Sequence, residues 1–564
     1  MSDKKVKSKK PVKLIFVSGG VISGIGKGIS TASIALLLQS AGYRVSILKF
    51  DMYLNVDAGT MNPLEHGEVF VTDDALETDQ DLGNYERFLT QNFYRDNYLT
   101  MGQIYWEILN KERALGYKGK TVQGHIHVPE HIIEKIYETA AKTDSEIFLV
   151  EVGGTVGEYQ NMLFFEAIRR LKQKDPENVF LAHLVYLITP SSLGEMKSKP
   201  AQASIYDLYK LGLHPDIVIC RSSQPMDEKR KETIAFNTGI NLEQIFSAPD
   251  VKSVYEIPLL FKEQKLDDKL LKKLNLKRKE NKIVNWENFV DRVHNSNKKI
   301  KIAIVGKYFT SGNFSLEDAY VCVIEAIKHA AWAQNCQPEI KWFNVEDFED
   351  EQKKKIISTE LKSFDGIIIP QGWGSRGVEG KIEALKFIRE NKIPYLGLCF
   401  GMQMAVIEYA RDILNLKGAN TTEADPDTKY PVIHVMPEQE KYLKENKFGG
   451  TIRLGAWPCK LSANSTALNL YEEFAPDTIK NGIINERHRH RYEVNNEYKD
   501  QLQKSGLVIS GTSPDGKLAE IVELPKNVHP FFIGTQFHPE YKSWPLKPHP
   551  LFMGFIRASL KNKN

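Results

Sequence analysis

The chain has 564 residues, 42% hydrophobic and 26% charged, with a formal net charge of +3. That length exceeds a single core, so two or more globular domains are expected. So small a net charge gives no global argument for nucleic acid or an anionic membrane as partner.

The first eleven residues, MSDKKVKSKKP, read as a basic, solvated, disordered tail without the apolar core of a secretory signal. No stretch is apolar and charge-free over the roughly 18 residues that a membrane-spanning helix needs. Five scattered cysteines, Cys220, Cys322, Cys336, Cys399 and Cys459, are odd in number and fit a reducing cytosol better than a disulfide framework or a zinc site.

From Lys13 the pattern is apolar run, glycine turn, helical stretch: KLIFVSGG, YRVSILKF, EIFLVEVGG, AHLVYLITP and PDIVICRS. Val- and Ile-rich runs of this length, alternating with helical segments, read as buried parallel strands of an α/β sheet. Between the first strand and the helix TASIALLLQSAG lies VSGGVISGIGKGIS. It approaches the phosphate-binding pattern G-x-x-x-x-G-K-[ST] but departs from it twice. Gly20 comes one residue early, and Gly28 stands where a magnesium-binding hydroxyl is expected. The glycines still allow close backbone approach, Lys27 adds a charge, and the helix start favours an anion. Magnesium must then be held by carboxylates. Asp81 in ETDQDLGNYERF and Glu151 at the end of EIFLVE are the candidates, Glu151 the stronger because a carboxylate on a buried strand is costly unless it meets a cation.

The stretch Phe261 to Lys282 is charged and amphipathic, and reads as a surface helix leading into a linker at 282–299. A second α/β pattern follows in IKIAIVGKY, FDGIIIPQGWG, IPYLGLCFGMQ and FFIGTQFHPE. The domains expected are therefore 12–281 and 300–564. In GLCFGMQ a cysteine occupies a nucleophile elbow, Cys399, between strand and helix. A cysteine nucleophile needs a base and a group to orient that base. QFHPE supplies His538 and Glu540, which would share one side if QF ends a strand. In ERHRHRY, three arginines interleaved with histidines argue against a metal site, and only Arg491 is given a role.

The block LKFDMYLNVDAGTMNPLEHGEVFVTDDALETDQDLGNYERF, with LVEVGGTVGEYQ, GEMKSKPAQ and SGGVISGIGKG, resembles the CTP synthase family over essentially the whole chain after the tail. The elbow, the HPE and the loop PQGWGSRGVEG resemble class I glutamine amidotransferases over 300–545. The resemblance implies a P-loop, Rossmann-like parallel-sheet synthase domain followed by an α/β glutamine amidotransferase domain. It implies ATP-dependent amination of UTP to CTP, with Cys399, His538 and Glu540 releasing ammonia from glutamine. ATP would lie on Gly24, Ile25, Gly26, Lys27, Gly28 and Ile29, with Lys49 and Asp81 at its phosphates and Lys265, Leu266 and Asp267 near the adenine. Asp81 and Glu151 would hold Mg2+. The pyrimidine nucleotide would meet Ser23, Glu158, Tyr159, Gln160, Lys197, Ser198, Lys199, Pro200, Ala201, Gln202 and Pro249. Glutamine would meet Gly372, Phe400, Gly401, Met402, Gln403, Glu423 and Arg491, with N–H groups near Gly372 and Phe400 as the oxyanion hole. The same resemblance implies a cytoplasmic homotetramer able to form filaments, activation by GTP, internal transfer of ammonia, and neither nucleic-acid nor membrane partners.

Three alternatives stand beside this reading. One is an amidoligase acting on a different pyrimidine nucleotide. The second is a non-catalytic filament or scaffold protein, against which the complete Cys-His-Glu set argues. The third is another P-loop amidoligase such as a cobyric acid synthase, against which the block Asn55 to Thr72 argues. The chain also departs from the family pattern. Gln371 and Trp373 replace a glycine and the phenylalanine of P-G-G-F-G, Gly24 replaces a serine, Gln160 an acid and Pro249 a lysine. TVQGHIHVPEHI is longer than the family form and adds histidines.

Overall fold

The computed structural model describes residues 11–61, 67–190, 192, 194–307, 310–311, 314–315, 320–436, 439 and 451–562. The basic tail, apart from Pro11, and residues 62–66 of the 55–72 block lie outside them. The chain forms two compact units, one from the residues up to Asp57 with Asn84–Val290, the other from Ala58–Gly83 with Asp291 onward.

In the first unit a seven-stranded sheet runs in the order Tyr98–Thr100, Val45–Asp51, Ile147–Val152, Lys13–Gly19, Val179–Tyr186, Ile217–Ser222, Ile245–Pro249. Every neighbouring pair is parallel. The central strands are buried on both faces, which explains their continuous apolar runs. On one face Leu14, Phe16, Phe148, Val150 and Leu181 pack against Phe164, Phe165 and Ile168 of the helix Met162–Lys174. Because helices cover both faces, the free positions are the strand ends, where loops meet ligands in open α/β sheets.

The second unit is built on a nine-stranded sheet. Cys336–Asn344, Lys298–Gly306, Gly366–Ile369, Tyr395–Leu398 and Phe532–Thr535 are parallel. The order continues antiparallel through Ala519–Glu523, Val508–Thr512, Arg453–Leu461 and Ile483–His490. Apolar clusters fill both faces.

The junction between the units falls at Val290/Asp291, inside the expected 282–299, but two features differ from expectation. The 282–299 stretch is not a linker: Val284–Asn295 is a helix, and the strand Lys298–Gly306 follows directly. Trp286 is 1% exposed, its indole N–H donates to the Tyr255 carbonyl at 2.9 Å, and its ring meets Phe88 and Phe289. The charged stretch before it is likewise anchored, because Phe261, Leu266, Leu270 and Leu271 are buried beneath its lysines. Second, residues 58–83 leave the first unit altogether. Phe70–Val71 and Glu77–Thr78 form a small hairpin whose Phe70 ring lies 5.3 Å from that of Tyr541. Gly124–Lys142, which carries the extra histidines, is a helix with Pro129 in its first turns, and His131 bonds Glu107 at 2.8 Å.

Candidate functional site

In the first unit the phosphate-like loop joins the strand Lys13–Gly19 to the helix Lys27–Ser40. Gly26 caps that helix at φ 83°, a left-handed conformation that suits glycine. Val21 adopts φ 80°, which a β-branched residue rarely does and which marks a strained loop. Lys27 is nearly buried and donates to the Gly154 carbonyl at 2.7 Å, tying this loop to the glycines after Glu151. Ser23 and Gly24 are exposed, Ile29 is half-buried, and Gly28 and the side chain of Ile25 are buried.

Lys49 and Glu151 lie on adjacent parallel strands in direct register. Lys49 Nζ is 3.3 Å from Glu151 Oε1 and 3.4 Å from Asp51 Oδ1. The Tyr85 hydroxyl donates to Glu151 Oε2, and that of Tyr53 to Asp51 Oδ2 at 3.0 Å. Two buried carboxylates at the strand ends form an oxygen donor set that suits a hard cation such as Mg2+. Asp51 and Tyr85 escaped the sequence reading, although Asp51 follows Lys49 by two residues and therefore shares its side of the strand. Asp81 opens the helix Asp81–Leu89 and belongs to the second unit, its N–H bonded to Asp79 at 3.0 Å. Among the described residues no group of three or more His, Cys, Asp or Glu is arranged to hold a metal ion.

Around the phosphate loop, Glu158 accepts from the Thr155 N–H and hydroxyl at 2.9 and 2.6 Å and from the Gln160 amide at 3.4 Å. Burial works to raise the Glu158 pKa, but these bonds and the nearby Lys27 hold it below the usual range. Tyr159 and Gln160 are exposed. Ser198 precedes the helix Lys199–Lys210, which carries Pro200 near its start, and Gln202 bonds the Ser198 hydroxyl at 3.0 Å. Ala201 is buried, and Lys197 pairs with Glu195. Pro249 ends its strand, and its carbonyl accepts from Arg221 at 2.9 Å. The same guanidinium reaches Ile25 O at 3.3 Å, so a cation stands at this edge although position 249 carries none. Lys265 caps the helix Leu266–Lys273 at φ 59°, but Leu266 is fully buried and Asp267 is ion-paired with Arg278 at 2.6 Å. Neither side chain is available to an adenine, which leaves backbone contacts and Lys265.

In the second unit Cys399 sits between the strand Tyr395–Leu398 and the helix Phe400–Asp412 at φ 52°, ψ −101°. The turn is tight because Gly401 passes the Ile369 carbonyl where a Cβ would lie 2.1 Å from the oxygen. His538 Nδ1 is 2.8 Å from Glu540 Oε1. The two meet through a short 3-10 turn, Pro539–Lys542, and not by strand alternation, since the strand ends at Thr535. Burial disfavours charge on His538, yet Glu540 and Cys399 outweigh it and push its pKa up to about 10. His538 Nε2 is buried with no hydrogen bond to the described residues. The Cys399 thiol points to the Arg489 carbonyl at 3.9 Å and receives the Gln536 amide at 3.6 Å.

The remaining glutamine candidates have the following partners. Gln403 bonds Tyr492 O at 2.7 Å and Gln536 at 3.2 Å, while Phe400 and Met402 are buried. Glu423 accepts from the Gly374 N–H at 2.6 Å, and burial raises its pKa. Arg491 donates to Gln439 at 3.0 Å and Thr451 at 2.8 Å. A Cβ on Gly372 would lie 3.0 Å from Lys307 Cε and 3.3 Å from Lys381 Nζ. Burial drives Lys381 well below the lysine range and Lys307 to about 8. Both amines lie over the Phe400 ring, at 4.7 and 5.2 Å respectively. Neither lysine was singled out by the sequence analysis. The neighbours of Arg491 also have work to do, because Arg487 pairs with Asp73 at 2.5 Å and His490 with Glu493 at 2.9 Å.

Comparison with known proteins is consistent across the chain. The family description "CTP synthase N-terminus" matches residues 13–276 and "Glutamine amidotransferase class-I" matches 315–558. A CTP synthase of Carboxydothermus hydrogenoformans is 48% identical over 550 residues, 97% of this chain and 99% of that protein. One from Caldanaerobacter subterraneus subsp. tengcongensis is 45% identical over 552 residues, 98% of this chain and 99% of that protein. Among solved structures, the glutaminase domain of Trypanosoma brucei CTPS with bound acivicin is 34% identical, covering 46% of this chain and 94% of that one at a TM-score of 0.41. With such identity to CTP synthases along nearly the full length of both chains, this protein belongs to the CTP synthase family.

Proposed function

We propose that this chain converts UTP to CTP, drawing nitrogen from glutamine hydrolysed in its second unit. The observation that carries the reading is the set of Cys399 on a positive-φ elbow and the His538–Glu540 pair, in a chain similar from end to end to CTP synthases. The Cys399 thiol gives its proton to His538, and the sulfur attacks the glutamine side-chain carbonyl carbon. The resulting oxyanion is met by N–H groups of Phe400 and the Gly372 loop, a contribution of about 3 kcal/mol per donor. His538 gives a proton to the departing amine, ammonia leaves, and a thioester remains. Water then attacks the thioester as His538 takes up its proton, releasing glutamate and restoring the thiol. Glu540 orients the ring and supports its charge.

In the first unit ATP phosphorylates the uracil O4, and ammonia displaces the phosphate. Such transfer depends on positioning and charge neutralisation, the task of Lys27 and Lys49 here. Mg2+ would be held at Glu151 and would neutralise phosphate charge. The pyrimidine nucleotide is assigned to Ser23, Glu158–Gln160, Lys197–Gln202 and Pro249. The family also supports a cytoplasmic homotetramer, filaments and activation by GTP. No helix among the described residues is long and apolar enough to cross a membrane. Mass spectrometry of the product, with a panel of pyrimidine nucleotides offered alongside ATP and glutamine, tests the reading. CTP from UTP is expected, and preferential amination of another nucleotide overturns it.

A further inference from the structure

The hairpin of residues 70–78 belongs to the unit that carries Cys399, although it precedes it by more than three hundred positions. Its Glu77 is 3% exposed, and Glu77 Oε1 lies 2.8 Å from Arg489 Nε. The Arg489 guanidinium carbon lies over the Trp373 ring, 5.5 Å from its centre, and the Arg489 carbonyl faces the Cys399 thiol at 3.9 Å. Trp373 follows Gly372 directly, and its own carbonyl accepts from Lys307. One carboxylate therefore governs a short path. It fixes the guanidinium, the guanidinium fixes the indole, and the indole sits on the loop carrying the proposed oxyanion donor. A part-buried arginine paired with a buried carboxylate and lying over an aromatic face has its choice of geometry narrowed, because its charge and its flat surface are both engaged. Trp373 is one of this chain's departures from the family loop and presents a larger face to the cation than the phenylalanine it replaces.

We infer that Glu77 is a positioning residue for glutamine hydrolysis, holding Arg489 against Trp373 and thereby the Gly372 loop beside Cys399. The inference rests on Cys399 being the nucleophile, and the test separates the two. In the full chain, glutamate release and CTP synthesis from ammonium are measured for Cys399→Ala, Glu77→Gln, Glu77→Asp, Arg489→Met and the Glu77→Gln/Arg489→Met pair. Glu77→Gln should lower kcat for glutamine by about tenfold with a smaller change in KM, because a displaced oxyanion donor is felt in the transition state. Ammonium-dependent synthesis should stay within about twofold, Glu77→Asp should recover part of the loss, and the pair should be no worse than Arg489→Met alone. An unchanged kcat for glutamine, an equal fall with ammonium, or additive losses in the pair would overturn the positioning role. If Glu77→Gln does not fold, Arg489→Lys carries the same comparison, since it keeps the charge but loses the flat stack. Persistent glutamate release in Cys399→Ala instead overturns the reading of the site itself.

Discussion

Single side chains divide into those whose chemistry was legible in isolation and those that act only in company. Glu151 reads as a metal candidate because a carboxylate ends an apolar strand, and the structure adds Lys49, Asp51 and Tyr85 around it. Glu151→Gln keeps the shape but removes the charge. It should abolish CTP formation from either nitrogen source while leaving glutamine hydrolysis measurable, as assays of CTP and glutamate will show. His538 gives a pH prediction. Burial alone would lower its pKa from 6.5, but Glu540 and Cys399 push it up to about 10. The folded state thus binds the proton more tightly than the unfolded chain. That stability is fully present below pH 6.5 and is lost as pH rises through about 10. Glu540→Gln removes the first opposing charge, so the alkaline loss of stability should begin at least about one pH unit lower. Glutamine hydrolysis should fall by about a hundredfold through the loss of proper acid–base support. Denaturant midpoints across pH and initial rates check both.

At the scale of elements, the helix Val284–Asn295 shows why charge runs mislead. KRKENK looks like a tether, but the residues after it bury Trp286 and Phe289 against Phe88 and Tyr255. Sequence reading weighs composition over a window, whereas two aromatic residues suffice to dock a helix. Trp286→Ala should destabilise the first unit by about 3–5 kcal/mol, appearing as an earlier first transition in thermal or denaturant unfolding. KM for glutamine should be unchanged. The QFHPE element makes the converse point. His538 and Glu540 meet as expected, but through a 3-10 turn after the strand has ended. The spacing was informative, while the local conformation was decided by Pro539 and by the His538 N–H bonding Arg487 O at 2.8 Å.

For the molecule as a whole, two chemistries in two compact units predict separable losses. Cys399→Ala removes the thiol from the elbow and leaves the first unit untouched. Glutamine-dependent CTP synthesis should fall to background while ammonium-dependent synthesis stays within about threefold, an allowance of under 1 kcal/mol in the barrier. Side-by-side assays with the two nitrogen sources decide it.

The sequence by itself determined the two α/β units, the irregular phosphate loop, the cysteine elbow with its histidine and glutamate, and the family. All of these are encoded in short contiguous runs, where glycine spacing and apolar periodicity translate directly into backbone shape. Tertiary structure alone decided that residues 58–83 fold with the second unit, that Asp267 is occupied by Arg278, that Lys381 lies beside Gly372, and that Glu77 pairs with Arg489. Those outcomes depend on pairings between residues hundreds of positions apart. A charge in a sequence looks solvated until the fold shows which opposite charge or aromatic face is buried with it.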